Sequence, residues 1–239
     1  MIKIFSHRGL VTASALENSL ASLHAAYAAG FRAIEFDIWF LEGQLVLSHN
    51  KPRNISNLPK FSEYFFYGNE MEYWLDFKNL DATNVEEALA MVKKEISVAA
   101  NVAGNQNISR NQNDLSKQIS FAKIDEKKLF FAPFITNLDE AAPVYTAIRH
   151  NFSNAQIVAV CEKISASELV FYQQNLRRNG VKFLSIYHGN IDANFVKIFK
   201  DISLFAWTVN DLARLRELAQ LGVENFASDK ILPEMLVTF

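Results

Sequence analysis

Two histidines, three acidic residues and two basic ones stand at the ends of short apolar runs in the first third of the chain. Ile4-Phe5-Ser6 leads into His7-Arg8-Gly9, and Ala33-Ile34-Glu35-Phe36-Asp37-Ile38 carries two carboxylates. Leu45-Val46-Leu47 leads into Ser48-His49-Asn50, and Tyr73-Trp74-Leu75 into Asp76-Phe77-Lys78. Glu35 and Asp37 are two apart, so on a strand both side chains leave by the same face. Carboxylates buried there without a partner would cost roughly several kcal/mol, so a cation has to lie close. With Asp76 they form an all-oxygen donor set, which favours one divalent cation, Mg²⁺ or Ca²⁺, over zinc. Arg8 and Lys78 beside that cation suit an anionic phosphate. His7 and His49 can divide the proton transfers, one taking a proton from the attacking oxygen and the other giving one to the leaving oxygen. The expected chemistry is phosphodiester cleavage, with the metal gathering charge that develops on a phosphoryl oxygen.

For these groups to meet, their runs must be strands whose C-terminal ends share one mouth. Strands are expected over residues 3–6, through Asp37, and over 45–48 after a turn at Glu42-Gly43-Gln44. Further strands are expected over 73–78, 129–135, 155–161, 182–187, 204–209 and 224–228. Helices are expected at 18–29, 84–100, 138–150, 166–179, 194–199 and 211–221. Strands alternating with helices favour a parallel sheet, here an α/β fold of the (β/α)8 TIM-barrel type, expected as a single domain over residues 1–239. Residues 101–120 are rich in Asn and Gln without periodicity and read as a polar surface loop.

A formal charge of -2 leaves no electrostatic footprint for nucleic acid. One cysteine, Cys161, excludes an internal disulfide framework and fits a reducing compartment. No run approaches the roughly 18 apolar residues of a membrane span. A cytoplasmic protein with a small-molecule phosphodiester substrate is expected, without nucleic acid or stable membrane insertion; the oligomeric state is left open.

The ordered set His7-Arg8-Gly9, Glu17-Asn18-Ser19, Ile34-Glu35-Phe36-Asp37 and His49 resembles the glycerophosphodiester phosphodiesterase family of the phospholipase C-like phosphodiesterase superfamily. So do Trp207-Thr208-Val209-Asn210, Gly222-Val223-Glu224 and Ser228-Asp229 near the end. The resemblance implies His7 and His49 as the acid/base pair, Glu35 and Asp37 as metal ligands, Arg8 on phosphate, and Trp207 lining the pocket. It also implies glycerophosphodiesters as substrates, cleaved to glycerol phosphate and an alcohol. Asn50 stands where the family usually has Asp, and Asp76 with Lys78 where it usually has Glu-x-Lys. The insertion after the second histidine is reduced to residues 50–72, so little or no insertion domain is expected and the alcohol is left unassigned. A phospholipase D-like or other lipid-headgroup phosphodiesterase is an alternative, with the aromatics at 61–74 as its rim; a binding barrel without turnover is another. Glu17 and Asn18 read as the cap of the first helix, Asn being a favoured N-cap, and Cys161 as a small buried apolar residue.

Overall fold

Strands and helices alternate along the chain in the computed structural model, which describes residues 2–105 and 124–236. The strands are β1 (Lys3–His7), β2 (Ala33–Leu41), β3 (Gln44–Leu47), β4 (Glu72–Phe77), β5 (Leu129–Pro133), β6 (Gln156–Cys161), β7 (Phe183–Tyr187), β8 (Ser203–Trp207) and β9 (Asn225–Ser228). The α-helices are α1 (Leu20–Ala28), α2 (Val85–Asn105), α3 (Leu138–Asn151), α4 (Leu169–Arg178), α5 (Ala193–Ile198) and α6 (Leu212–Gln220). Sheet order is β1-β9-β8-β7-β6-β5-β4-β2-β3, and a β1–β2 pairing closes the ring. Eight of the strands are therefore parallel members of a closed barrel, as expected, while β3 pairs antiparallel with the overhanging end of β2, Ile38 opposite Leu47.

One departure from expectation has a local cause. Helix α2 runs on to Asn105 rather than stopping at 100; Ala99, Ala100 and Ala103 are strong helix formers that carry it into the stretch read as a loop. The remainder of that stretch, 106–120, lies outside the described residues. Between β2 and β4 no α-helix occurs among the described residues. Its place is taken by β3 and two 3-10 turns, Phe61–Phe65 and Gly68–Glu70. The aromatics there pack inward: Phe61, Tyr64, Phe65 and Tyr73 are at most 2% exposed, with Phe36 and Tyr64 rings 4.6 Å apart. They are core, not a rim.

Alternation along each strand sets two layers. Ile34, Phe36 and Ile38 of β2 point outward under the helices, while Ala33, Glu35 and Asp37 point into the barrel. The barrel's waist is filled by rings, with Phe5, Trp74, Phe130 and Phe205 in mutual contact at centroid distances of 4.9–5.9 Å. Below them, at the N-terminal strand ends, Lys3 donates to Glu72 at 2.5 Å; above them a cavity opens at the C-terminal strand ends. No described helix is long and apolar enough to cross a membrane.

Candidate active site

At the C-terminal strand ends a cavity of about 320 Å³ is lined by each expected site residue: His7, Arg8, Glu35, Asp37, His49, Asp76, Lys78 and Trp207. Strand register brings them together, since parallel pairing sets His7 beside Glu35 and Asp37 beside Asp76. One ligand oxygen each from Glu35, Asp37 and Asp76 lies within 4.8 Å of the others.

The first turn of chain after β1 is shaped to complete this cluster. Arg8 and Gly9 both take the left-handed conformation (φ 56° and 79°), which turns the backbone N–H of Arg8 onto Glu35 Oε2 at 3.0 Å. Glycine is required at the second position, because a Cβ there would lie 2.3 Å from Ser22 Oγ. Asn18, also left-handed (φ 53°), donates from Nδ2 to Asp37 Oδ2 at 2.8 Å and accepts from the Asp37 N–H at 3.0 Å. The cap of α1 is Ser19, in a capping box with Ser22. Asn18 therefore orients an acidic side chain instead of capping the helix. Glu17 holds the Arg8 guanidinium at 3.0 Å.

Charge balance across the cluster is incomplete. Lys78 Nζ stands 2.6 Å from both Asp37 Oδ1 and Asp76 Oδ2, and Arg8 Nε lies 3.0 Å from Asp37 Oδ2. Burial raises the carboxyl of Asp37, but Lys78 and Arg8 outweigh it and hold Asp37 below the ordinary carboxylate range. Glu35 has no such cover: burial first, then repulsion from Asp37, pushes it up to about 8. Burial also raises Asp76 despite Lys78. Asp76 Oδ1 is buried and accepts no hydrogen bond from the described residues. An orphaned carboxylate oxygen inside an all-oxygen cluster fits a hard divalent cation.

The histidines flank this cluster. His7 Nδ1 lies 2.7 Å from Asp229 Oδ1, and its Nε2 3.8 Å from Glu35 Oε2. Burial works against a charged His7, yet Glu35 and Asp229 prevail and raise it above the ordinary histidine value. Asn210 donates to Asp229 Oδ2 at 2.8 Å and fixes it from behind. His49 Nδ1 is 3.5 Å from Asp37 Oδ1, while its Nε2 is 3.4 Å from Arg8 Nη2. Asn50 lines the same cavity.

Lining residues that were not singled out include Trp39, Lys51, Phe134, Glu162 and Ser185. Trp74 also lines it, so all three tryptophans of the chain do. The indole N–H groups of Trp39, Trp74 and Trp207, and the fully buried Ser185 hydroxyl, make no hydrogen bond to the described protein. Trp207 joins Thr208 through a cis peptide bond. The Cys161 thiol lies outside this cavity and donates to the Lys163 carbonyl at 3.1 Å, and His188 does not line it either.

A closed parallel barrel whose mouth gathers buried carboxylates, guanidinium, ammonium and imidazoles places the chain among phosphodiesterase barrels. Comparison with known proteins narrows this. The glycerophosphoryl diester phosphodiesterase family model matches residues 7–232, and the chain belongs to that family of phosphoric diester hydrolases. No curated protein matches it in sequence. Among solved structures, an Oleispira antarctica phosphodiesterase in complex with the product sn-glycerol-3-phosphate is 18% identical, with TM-score 0.67 over 95% of this chain and 92% of its own. The Thermotoga maritima glycerophosphodiester phosphodiesterase is 16% identical (TM-score 0.64; 96% and 95% covered). A calcium-dependent phosphoinositol-specific phospholipase C from Pseudomonas shares the fold at 10% identity (TM-score 0.56; 95% and 87% covered).

Proposed function

We propose that the protein hydrolyses glycerophosphodiesters to glycerol phosphate and a free alcohol, with one divalent cation held by Glu35, Asp37 and Asp76. The observation that carries the metal is the under-neutralised cluster: three ligand oxygens within 4.8 Å and one of them orphaned. A cation bound there supplies Lewis-acid polarisation of a phosphoryl oxygen.

The chain's own residues do the rest. Arg8, anchored by Glu17 and Asp37, and Lys78, anchored by Asp37 and Asp76, present fixed positive charge to the phosphate. Asp229 pins Nδ1 of His7, which leaves Nε2 as the proton-exchanging atom, as the carboxylate of a catalytic triad does for its imidazole. His49, its Nε2 3.4 Å from Arg8 Nη2, serves the second transfer. One imidazole removes a proton from the attacking oxygen as its bond to phosphorus forms. The other protonates the alcohol oxygen as its bond to phosphorus breaks.

The test is a panel of diesters assayed with chelator and after restoring Mg²⁺, Ca²⁺ or Mn²⁺, alongside His7→Ala and His49→Ala. Activity should vanish with chelator, return with metal, and fall about a hundredfold or more in each variant. Undiminished turnover by His7→Ala would overturn the mechanism.

A second reading, action on a lipid headgroup, is favoured by Val11 and Leu16, which are 50% and 76% exposed on the loop that follows β1 at the mouth. Flotation with vesicles separates the two, since association supports the lipid substrate and its absence the soluble diester.

A further inference from the structure

The aromatic segment between β3 and β4 does more than fill the place of a helix. Its first 3-10 turn, Phe61–Phe65, is joined to β3 by the Val46–Lys60 bridge, and Phe61, Tyr64 and Phe65 are buried. Phe61 and Phe65 bring hydrocarbon alone. Tyr64, 0% exposed, also brings a phenol hydroxyl, and its partners lie in the turn between β1 and α1. A buried hydroxyl is costly unless it is hydrogen-bonded. This one donates to the Ser19 carbonyl at 3.0 Å.

A carbonyl oxygen has two lone pairs, and a hydroxyl has one proton to give. The Ser19 carbonyl accepts the Leu23 N–H at 3.1 Å and the Tyr64 hydroxyl, so both lone pairs are taken. The Ser22 hydroxyl accepts the Ser19 N–H at 3.2 Å and has three oxygens within reach of its proton. These are Ser19 O at 2.8 Å, Arg8 O at 3.1 Å and Tyr64 Oη at 3.3 Å. With Ser19 O filled, the nearest open acceptor is the Arg8 carbonyl, whose other partner is the Asn18 N–H at 2.9 Å. Arg8 is then held at both ends, its carbonyl by Ser22 and Asn18 and its N–H by Glu35 Oε2 at 3.0 Å. We propose that Tyr64 is a positioning residue of the active site: by occupying the Ser19 carbonyl it directs the Ser22 proton to Arg8 and so locks the turn that aims the Arg8 N–H at Glu35. Without the phenol hydroxyl, the Ser22 proton passes to the closer Ser19 oxygen. Arg8 and Asn18, both left-handed and disfavoured there on their own, then lose a restraint. The effect on turnover rests on the phosphodiesterase reading; the bracing of the turn does not.

The experiment compares Tyr64→Phe with Tyr73→Phe. Tyr73 belongs to the same cluster, its ring 4.6 Å from Phe65, but donates to the Gly68 carbonyl at 2.7 Å, in the second 3-10 turn. Each variant keeps its ring and loses one buried hydroxyl, so both should fold and lose similar stability in urea. In the metal-free protein, the Arg8 and Asn18 amides should exchange with solvent about tenfold faster in Tyr64→Phe, read by NMR, and at the parent's rate in Tyr73→Phe. Metal affinity by calorimetry should fall roughly tenfold, and kcat likewise with KM little changed, in Tyr64→Phe alone. Ser22→Ala removes the shared hydroxyl and should speed the same two amides. Adding Tyr64→Phe to it should speed them no further, because the two side chains act in series. Arg8 exchange in Tyr64→Phe equal to that in Tyr73→Phe, or effects that simply add in the double variant, overturns the brace. If no diester is hydrolysed with any metal, the phosphodiesterase reading fails while amide exchange still decides the role of Tyr64.

Discussion

Replacing Glu35 with glutamine should make the metal-free protein more stable, by an amount that grows with pH. Glu35 is 2% exposed, and its carboxyl is pushed from an unfolded value of 4.5 up to about 8 by burial and by Asp37. Between those two values the unfolded chain is ionised while the folded one keeps its proton. The folded state therefore loses roughly 1.4 kcal/mol for each unit of rising pH across that window. The penalty is absent below the unfolded value and complete above the folded one, reaching about 3 kcal/mol at neutral pH. Glutamine removes the titration and keeps an oxygen for the Arg8 N–H, now 3.0 Å from Glu35 Oε2. Asp37 and Asp76 are present in both proteins, so their own contributions largely cancel. Urea unfolding in EDTA at several pH values between 5 and 8 reads the effect directly. The variant's advantage should be small at the acid end and a few kcal/mol, roughly, at the other. Adding Mg²⁺ or Ca²⁺ should stabilise the parent and leave the variant almost unmoved. A variant no more stable than the parent at pH 8, or an advantage that does not change with pH, would refute the view that Glu35 is an under-neutralised carboxylate.

Asn18→Ala removes both hydrogen bonds to Asp37 and leaves the buried Asp37 N–H unpaired. The expected results are a loss of about 1–3 kcal/mol in denaturant unfolding and metal affinity roughly tenfold to a hundredfold weaker by calorimetry. Gly9→Ala should lower the unfolding free energy measured in urea by about 1–3 kcal/mol. Adding Ser22→Ala should not rescue it, because the Ser22 backbone carbon would still lie 2.8 Å from the new Cβ. Asp229→Asn takes away a carboxylate that raises His7. The limb of the pH–rate profile that belongs to His7 should then move to lower pH, with kcat falling at least tenfold, roughly, and KM little changed.

The barrel was legible because its strands are short apolar runs of fixed period and its helices carry their own stops and caps. Glu35 and Asp37 could be placed on one face from a spacing of two alone. What escaped was set by long-range geometry. Asp229 reaches His7 only because β9 lies beside β1 in the closed ring, 222 residues away in sequence. Asn18 looked like a helix cap because Asn is a common one, and only its left-handed backbone turns its amide toward Asp37 instead. The aromatic stretch at 61–74 carries no polar periodicity that would separate a rim from a core. Its burial follows from the missing helix between β2 and β4, whose volume the rings must fill. Glu162 falls just past the end of β6, where the strand's period extends beyond its hydrogen-bonded residues.

The β1–β9 closure has a consequence for synthesis. Glu35, Asp37 and His49 lie within one local stretch and can be arranged as soon as β2 and β3 have paired. The carboxylate that steadies His7 is delivered by a segment synthesised 222 residues after it. A nascent or truncated chain ending before Asp229 could gather the acidic side chains yet leave its deeper imidazole unaligned. Turnover in such a protein would switch on late, as a report that the ring had been sealed.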